Sequence, residues 1–159
     1  MSVTVKQKNK GWLEALIKRR KSGKVVAVGF PADKVGGLKY PDGKDGEDGQ
    51  SVLKVAGYNN FGTEHIPRRD FMTPGGANAI EKTKDIRKKI VQKVDKGSAT
   101  IDSSIEEMGS VAVAQIQNAI RDLKDPPNDP KTIKQKQSSN PLIDTPLMIL
   151  SVTYEVRDK

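Results

Sequence analysis

From Ser103 to Leu123 the chain carries an apolar stripe that no proline interrupts. Ile105, Met108, Val111, Ala112, Ile116, Ala119, Ile120 and Leu123 recur at the three- and four-residue spacing of one helix face. Small residues lie among them, which lets neighbours approach closely. Ser103 with Glu106 three positions on has the form of a capping box. A helix apolar along one side for about five turns has to be enclosed by the rest of the molecule. The stretch therefore predicts a central core helix with shorter elements arranged around it.

Those shorter elements are separated by turn chemistry. Residues 11–20 place Trp12, Leu13, Leu16 and Ile17 on the stripe of an amphipathic helix, which Ser22-Gly23 ends. Residues 24–30 (KVVAVGF) read as a strand. Residues 31–50 gather Pro31, Pro41, several glycines and the acids Asp42, Asp45, Glu47 and Asp48, as either a hairpin with a long tip or a flexible acidic loop. Ser51 is an N-cap candidate for a short helix carrying Val52, Val55 and Ala56 and closed at Gly62. Pro67 and Pro74 push their predecessors out of helical geometry, so residues 63–74 read as an extended connector. Thr73-Pro74 then looks like an N-cap and first helical position, opening a helix to about Lys96 with Ile80, Ile86, Ile90, Val91 and Val94 on one side. Residues 125–141 are proline-punctuated, with one helical turn expected at Asp129-Pro130. Thr145-Pro146 opens a compact apolar turn, and residues 151–157 alternate as a strand with Val152, Tyr154 and Val156 on one face. The expected class is α+β: a small mixed or antiparallel sheet against a few helices, with long extended loops, in one domain spanning 1–159.

Charge narrows the functional classes. The 159 residues carry 28 Lys+Arg against 20 Asp+Glu, a net charge of +8. Much of the excess lies before Val25, where Lys6, Lys8, Lys10, Lys18, Arg19, Arg20, Lys21 and Lys24 face Glu14 alone, and a second basic run spans 81–96. Clustered cations are all that phosphate attraction requires. Aromatics interleaved for base stacking are almost missing. With no cysteine the chain has no disulfide, no thiolate metal site and no Cys nucleophile, which fits a reducing compartment. No apolar run reaches the ~20 residues of a membrane-spanning helix, and the N-terminal stretch lacks a signal-peptide core.

Signs of catalysis are sparse. His65 is the single histidine, no G-x-S-x-G elbow accompanies it, and an ordinary zinc site takes at least three protein ligands. Neither a Walker lysine motif nor G-x-G-x-x-G occurs, and the spacing of DGKDGEDG does not match a calcium loop. The expectation is a non-enzyme without cofactor or metal.

Two segments are costly for plain loops. One is Tyr58-Asn59-Asn60-Phe61-Gly62-Thr63 followed by Ile66-Pro67-Arg68-Arg69-Asp70-Phe71, where aromatic, Ile, Pro and Arg groups of the kind enriched at interface centres stand together. The other runs from Lys136 through Asn140-Pro141-Leu142-Ile143-Asp144-Thr145 to Val156. Here the sequence resembles the tail-completion, or neck, proteins of long-tailed bacteriophages, the lambda-like minor tail components. YNNFGT–HIPRRDFM resembles their hNEFGT–IPARPF signature, and NPLIDTPLMILSVTYEV resembles their C-terminal kPLIDTGxLxxSIxYxV. The likeness covers roughly residues 50–157. It departs at Thr145-Pro146, where the family has Thr-Gly, and at Arg69-Asp70.

What the resemblance implies is a structural virion protein of the head–tail junction, made in the bacterial host cytoplasm. It would form a homo-oligomeric ring, expected to be six-fold, that caps the tail tube and joins it to the connector. Ring contacts are heterologous, one patch fitting a different patch on the neighbour. The expected contact residues are Tyr58, Phe61, Ile66, Pro67, Arg68, Arg69, Phe71, Pro141, Leu142, Ile143, Asp144 and Thr145. The alternative is that Ile66, Phe71, Leu142 and Ile143 lid the chain's own core. Lys6, Lys8, Lys10, Lys18, Arg19, Arg20 and Lys21 are the expected contacts to DNA passing through the channel, without sequence preference. The rival function is a basic, non-specific nucleic-acid-binding protein.

Overall fold

The computed structural model describes residues 11, 14–15, 17–18, 23–41, 49–136, 138–143 and 146–158. Among them the chain forms seven helices and a two-stranded antiparallel sheet, a small α+β fold. Strand β1 (Lys24–Gly29) pairs with β2 (Thr153–Asp158), from Lys24 opposite Asp158 to Gly29 opposite Thr153. Between them come α1 (Ala32–Val35), α2 (Val52–Phe61), α3 (Met72–Lys82), α4 (Lys84–Asp95), a 3-10 turn at Asp102–Ser104, α5 (Ile105–Asp122), α6 (Pro130–Lys136) and α7 (Leu147–Leu150).

Helix α5 is the expected centre. It packs along α3, carries both strands and touches α7. Its stripe is buried at Ile105, Ala112, Ile116 and Ile120. Around Ile116 and Ile120 the core gathers Val52 and Ala56 from α2, Phe71, Leu142, Met148 from α7, and Val152. Phe71 is fully buried and meets Phe30, just after β1, edge-on at 6.2 Å between ring centres. Burying one such ring is worth about 1.5–3 kcal/mol, so this residue ties the first strand to the helical layer.

The α3–α5 crossing depends on glycine. A Cβ on Gly75 would lie 2.9 Å from the Ile116 Cα, and one on Gly109 would lie 2.5 Å from the Tyr154 ring. The sequence marked small residues within the α5 stripe, and here they set how near α3 and β2 can come.

Four expectations need correction. The helix expected from Thr73 to about Lys96 is two helices, α3 and α4, parted at Thr83. The Thr83 hydroxyl is buried and donates to the Ala79 and Ile80 carbonyls at 2.7 and 3.2 Å, competing with the backbone ladder as Thr does when it back-bonds in a helix. Of the apolar residues expected on one side, Ile90 and Val94 are buried while Ile80 and Val91 face outward. Thr73 is not the cap: the helix begins at Met72, and side chains from outside it serve its first amides. Helix α5 starts at Ile105 with Ser104, not Ser103, at the cap position. In 31–50 the sequence showed no helix, yet Pro31 opens α1, with Asp33 in its first turn, Lys34 in its last and Val35 buried.

Other expectations stand. Lys39 and Ser51 form an isolated bridge, with Tyr40 N donating to Gln50 O and Val52 N to Leu38 O, so the base of the 41–49 excursion is paired as in a hairpin. Its acidic tip, 42–48, lies outside the described residues. Of the first amphipathic segment, Gly11, Glu14, Ala15, Ile17 and Lys18 are helical. Trp12, Leu13, Leu16, Arg19, Arg20 and Lys21 lie outside the described residues, as do Lys6, Lys8, Lys10, Asp144 and Thr145.

Candidate functional site

The expected contact segments meet at one corner. Helix α2 ends at Gly62, whose φ of 80° lies where an L side chain is strained. Beyond it a reverse turn closes, with Thr63 N donating to Ile66 O at 2.8 Å and Ile66 N to the Thr63 hydroxyl at 3.0 Å. The turn sends the chain back along α2, where Arg69 N donates to Asn59 O at 2.7 Å.

Arg69 is the hub of the corner, only 5% exposed. Its Nε donates to Pro126 O at 2.8 Å, and its terminal nitrogens donate to Asn59 Oδ1, Pro127 O and Asn128 Oδ1 at 3.0–3.1 Å. All these acceptors are neutral. Burial pulls the guanidinium's pKa below the ordinary arginine value, yet Arg stays cationic in proteins. A planar fork with five donors suits this role, because it reaches several carbonyls at once.

The second segment is locked onto the same corner. Asn128 Nδ2 donates to Pro141 O at 3.3 Å, and Asn140 Nδ2 to Arg121 O, the end of α5, at 2.8 Å. Asn140 Oδ1 accepts from Leu142 N at 2.9 Å and turns the chain inward, so that Leu142 enters the core. Both motifs therefore share one polar lattice, from α2 through Arg69 and the 126–128 loop to Asn140.

The start of α3 completes it. Asn60 Oδ1 accepts from Met72 N at 3.1 Å, and Asp70 Oδ1 from Thr73 N at 3.0 Å, while Arg68 donates to Asp70 Oδ2 at 2.6 Å. Asp70 thus fills the capping role expected of Thr73. The Thr73 amide, then its hydroxyl and Arg68, hold the Asp70 carboxyl below the usual carboxylate range. A depressed folded pKa contributes stability that is present above the unfolded value, about 3.9, and lost as pH falls through the folded one. Asp70→Ala should lower the melting temperature by about 2–4 °C at pH 7, the scale of one helix cap. The gap to the parent should narrow between pH 5 and pH 3. A gap that stays constant over that range would show that the carboxylate charge contributes nothing.

The contact list divides accordingly. Arg69, Phe71, Pro141 and Leu142 are buried inside the chain, and Ile143 packs partly buried against the core. Phe71 and Leu142 fill the chain's own core, and Arg69 spends its donors on four intramolecular acceptors, so these three are occupied within the chain. Ile66 is half-buried. Tyr58, Phe61, Pro67 and Arg68 face outward, Phe61 with 77% of its surface exposed. Lys18 is exposed, as is His65. Among the described residues no group of three or more His, Asp or Glu side chains could hold a metal ion, and no helix is long and apolar enough to cross a membrane.

Sequence reasoning named Asn59, Asn60 and Asn140 within its two segments but gave no role to them or to Asn128, the four asparagines that make these bonds. Their signal was their place beside turns, where Asn bonds backbone locally. It also missed a cleft of about 530 Å³ between β1, α3 and α5. The one warning was the pair Gly75-Gly76 inside a helical run. No protein family, curated protein or solved structure matches the chain.

Proposed function

We propose that this chain is a structural component of the head–tail junction of a long-tailed bacteriophage, a tail-completion or neck subunit. It assembles with its own copies into a ring that caps the tail tube and meets the connector. One observation carries the reading. The two stretches that resemble that family, far apart in sequence, are bound into one corner by Arg69, Asn128 and Asn140. A shared motif pair makes physical sense if its buried members build a frame that holds its outward members in place. The frame leaves Tyr58, Phe61, Pro67 and Arg68 exposed, aromatic and Arg groups of the kind that anchor interfaces. In this role the corner engages the tail tube or connector and makes or breaks no covalent bond.

Particles produced without the chain should accumulate as separate heads and tails, and the parent protein should rejoin them. Phe61→Lys should leave the melting temperature within about 2 °C, because the ring is solvent-exposed, and lower joining at least tenfold, the scale of one interface hot spot. Normal particles in the absence of the chain would end the proposal.

A second reading has its own observation. Helix α4 and its flanks present Lys82, Lys84, Arg87, Lys88, Lys89, Lys93 and Lys96, all exposed, a surface suited to phosphates. In a ring such cations contact passing DNA without sequence preference. On a monomer they would define a non-specific nucleic-acid-binding protein. A monomeric chain whose DNA affinity falls steeply with salt, with a log–log slope of about −0.9 per phosphate contacted, would favour the second reading.

A further inference from the structure

A two-stranded sheet has two outer edges, and this one treats them differently. In an antiparallel pair, alternate residues of each strand turn their amide and carbonyl away from the partner strand. On β2, Lys34 Nζ donates to Tyr154 O at 2.7 Å and lies 6.0 Å from the Tyr154 ring. A lysine placed on an edge guards it against unwanted pairing. Strand β1 has no such guard: among the described residues, nothing but β2 bonds to the backbone of 25–29.

The cleft follows that open edge. Val25 and Val26 point to opposite faces of the sheet, yet both border it, as do Lys24 and Val28. A cavity that meets both faces of one strand lies along its edge, here over about 13 Å at the usual strand rise. The opposite wall is apolar, with Ala79 and Ile80 of α3 and Ile105 and Met108 of α5. Ile80 is 64% exposed and Val25 40%. Among the described residues, the charged side chains that border the cleft are both cations, Lys24 and Arg87. Arg87 donates to Ile80 O at 3.0 Å, a bond that uses one of its five donors and holds the guanidinium at the cleft.

We infer that the β1–α3–α5 cleft is a strand-addition site, taking an extended segment of a partner protein with apolar side chains at every second position and a carboxylate at its end. Each part of that description answers a feature of the site. Unpaired amides and carbonyls along β1 call for another backbone in extended form. The apolar wall takes the side chains of one strand face, which recur with period two. The cations select an acidic end. A groove between an edge strand and a helix is an established way to bind an extended peptide, with main-chain bonds giving affinity and alternate side chains giving selectivity. The inference does not depend on the ring reading.

The probe is a short synthetic peptide alternating valine with threonine between terminal glutamates, titrated by calorimetry into the full-length chain. It should saturate with a Kd below about 1 mM, and N-methylation of its central amides should weaken binding at least tenfold. By hydrogen exchange, alternate amides of β1 should exchange freely in the chain alone and gain protection with the peptide. Ile80→Lys and Arg87→Glu change exposed side chains and should melt within about 3 °C of the parent. Ile80→Lys should weaken the peptide at least tenfold. Arg87→Glu should bind a lysine-ended version better than the glutamate-ended one, reversing the parent's order. Absence of saturation would overturn the inference, as would equal binding of the N-methylated peptide. So would β1 amides fully protected in the chain alone, because the edge would then already be covered by the chain itself or by a second copy.

Discussion

Gly75→Ala is expected to lower the melting temperature by up to about 8 °C, while Gly76→Ala, one position on in the same helix, raises it by about 2 °C. Ordinary helix propensity favours alanine over glycine at both positions by about 1 kcal/mol. The difference lies in what the added methyl meets. At Gly75 it lies 2.9 Å from the Ile116 Cα and 3.3 Å from the Ala119 Cβ. The first of these is backbone in the middle of α5, which cannot rotate aside, so α3 and α5 must separate along their crossing. Overpacking of this kind costs about 1–3 kcal/mol, and separation also loosens contacts to Ile116 at the heart of the core. At Gly76 there is open space. Paired thermal melts check the prediction, and two variants of equal stability would show that the crossing tolerates a wider spacing. Gly109→Ala belongs to the same class, but its neighbour is a Tyr154 side chain that can swing, so its penalty should be smaller.

Arg69→Met is the second large effect, with an expected loss of about 3 kcal/mol and a fall of roughly 6–12 °C. Methionine keeps most of the stem's volume and deletes the fork. Four oxygens, on Pro126, Pro127, Asn59 and Asn128, then lose a donor at one partly buried corner. An acceptor left without a partner in the interior costs about 1–3 kcal/mol, and the half-exposed ones recover water in part. Arg69→Lys should recover little, because a single ammonium cannot span acceptors arranged around a planar fork. Arg68→Met should change stability by less than about 0.5 kcal/mol beyond the small contribution of its Asp70 contact, since its side chain is 64% exposed. Amide exchange adds a local readout. In Arg69→Met, protection should collapse first at Asn128, which the fork holds, and at Leu142 beside its partner Pro141. Uniform loss over the whole chain would place the defect elsewhere.

Much of the architecture was legible in the residues. The α5 stripe stood out because its period is long and unbroken, and β1 and β2 because Val-rich and alternating runs have few other solutions. The turn at Asp129-Pro130 followed from proline's preference for first helical positions, and the apolar turn after Pro146 from the run Leu147–Leu150 behind it. Thr83 was not legible as a break, since threonine sits inside many helices, and only burial of its hydroxyl forces the competing bond. The 31–50 segment concealed α1 because turn chemistry dominates its composition, and Val35 alone signals a buried face.

The candidate site divides along the same line. Composition and spacing alone determined that the 58–71 and 136–156 stretches were more than linkers, and that any helix over 103–123 had to be central. Period and propensity are local, and a chain displays them whatever surrounds it. Which of two adjacent arginines is buried, which glycine lies at a crossing, and which apolar residues stay outside depend on what the chain brings alongside from a distance. Arg68 and Arg69 differ in nothing the sequence displays. Only the return of the 126–128 loop to α2 separates them, because a guanidinium can be buried solely where several oxygens converge on it.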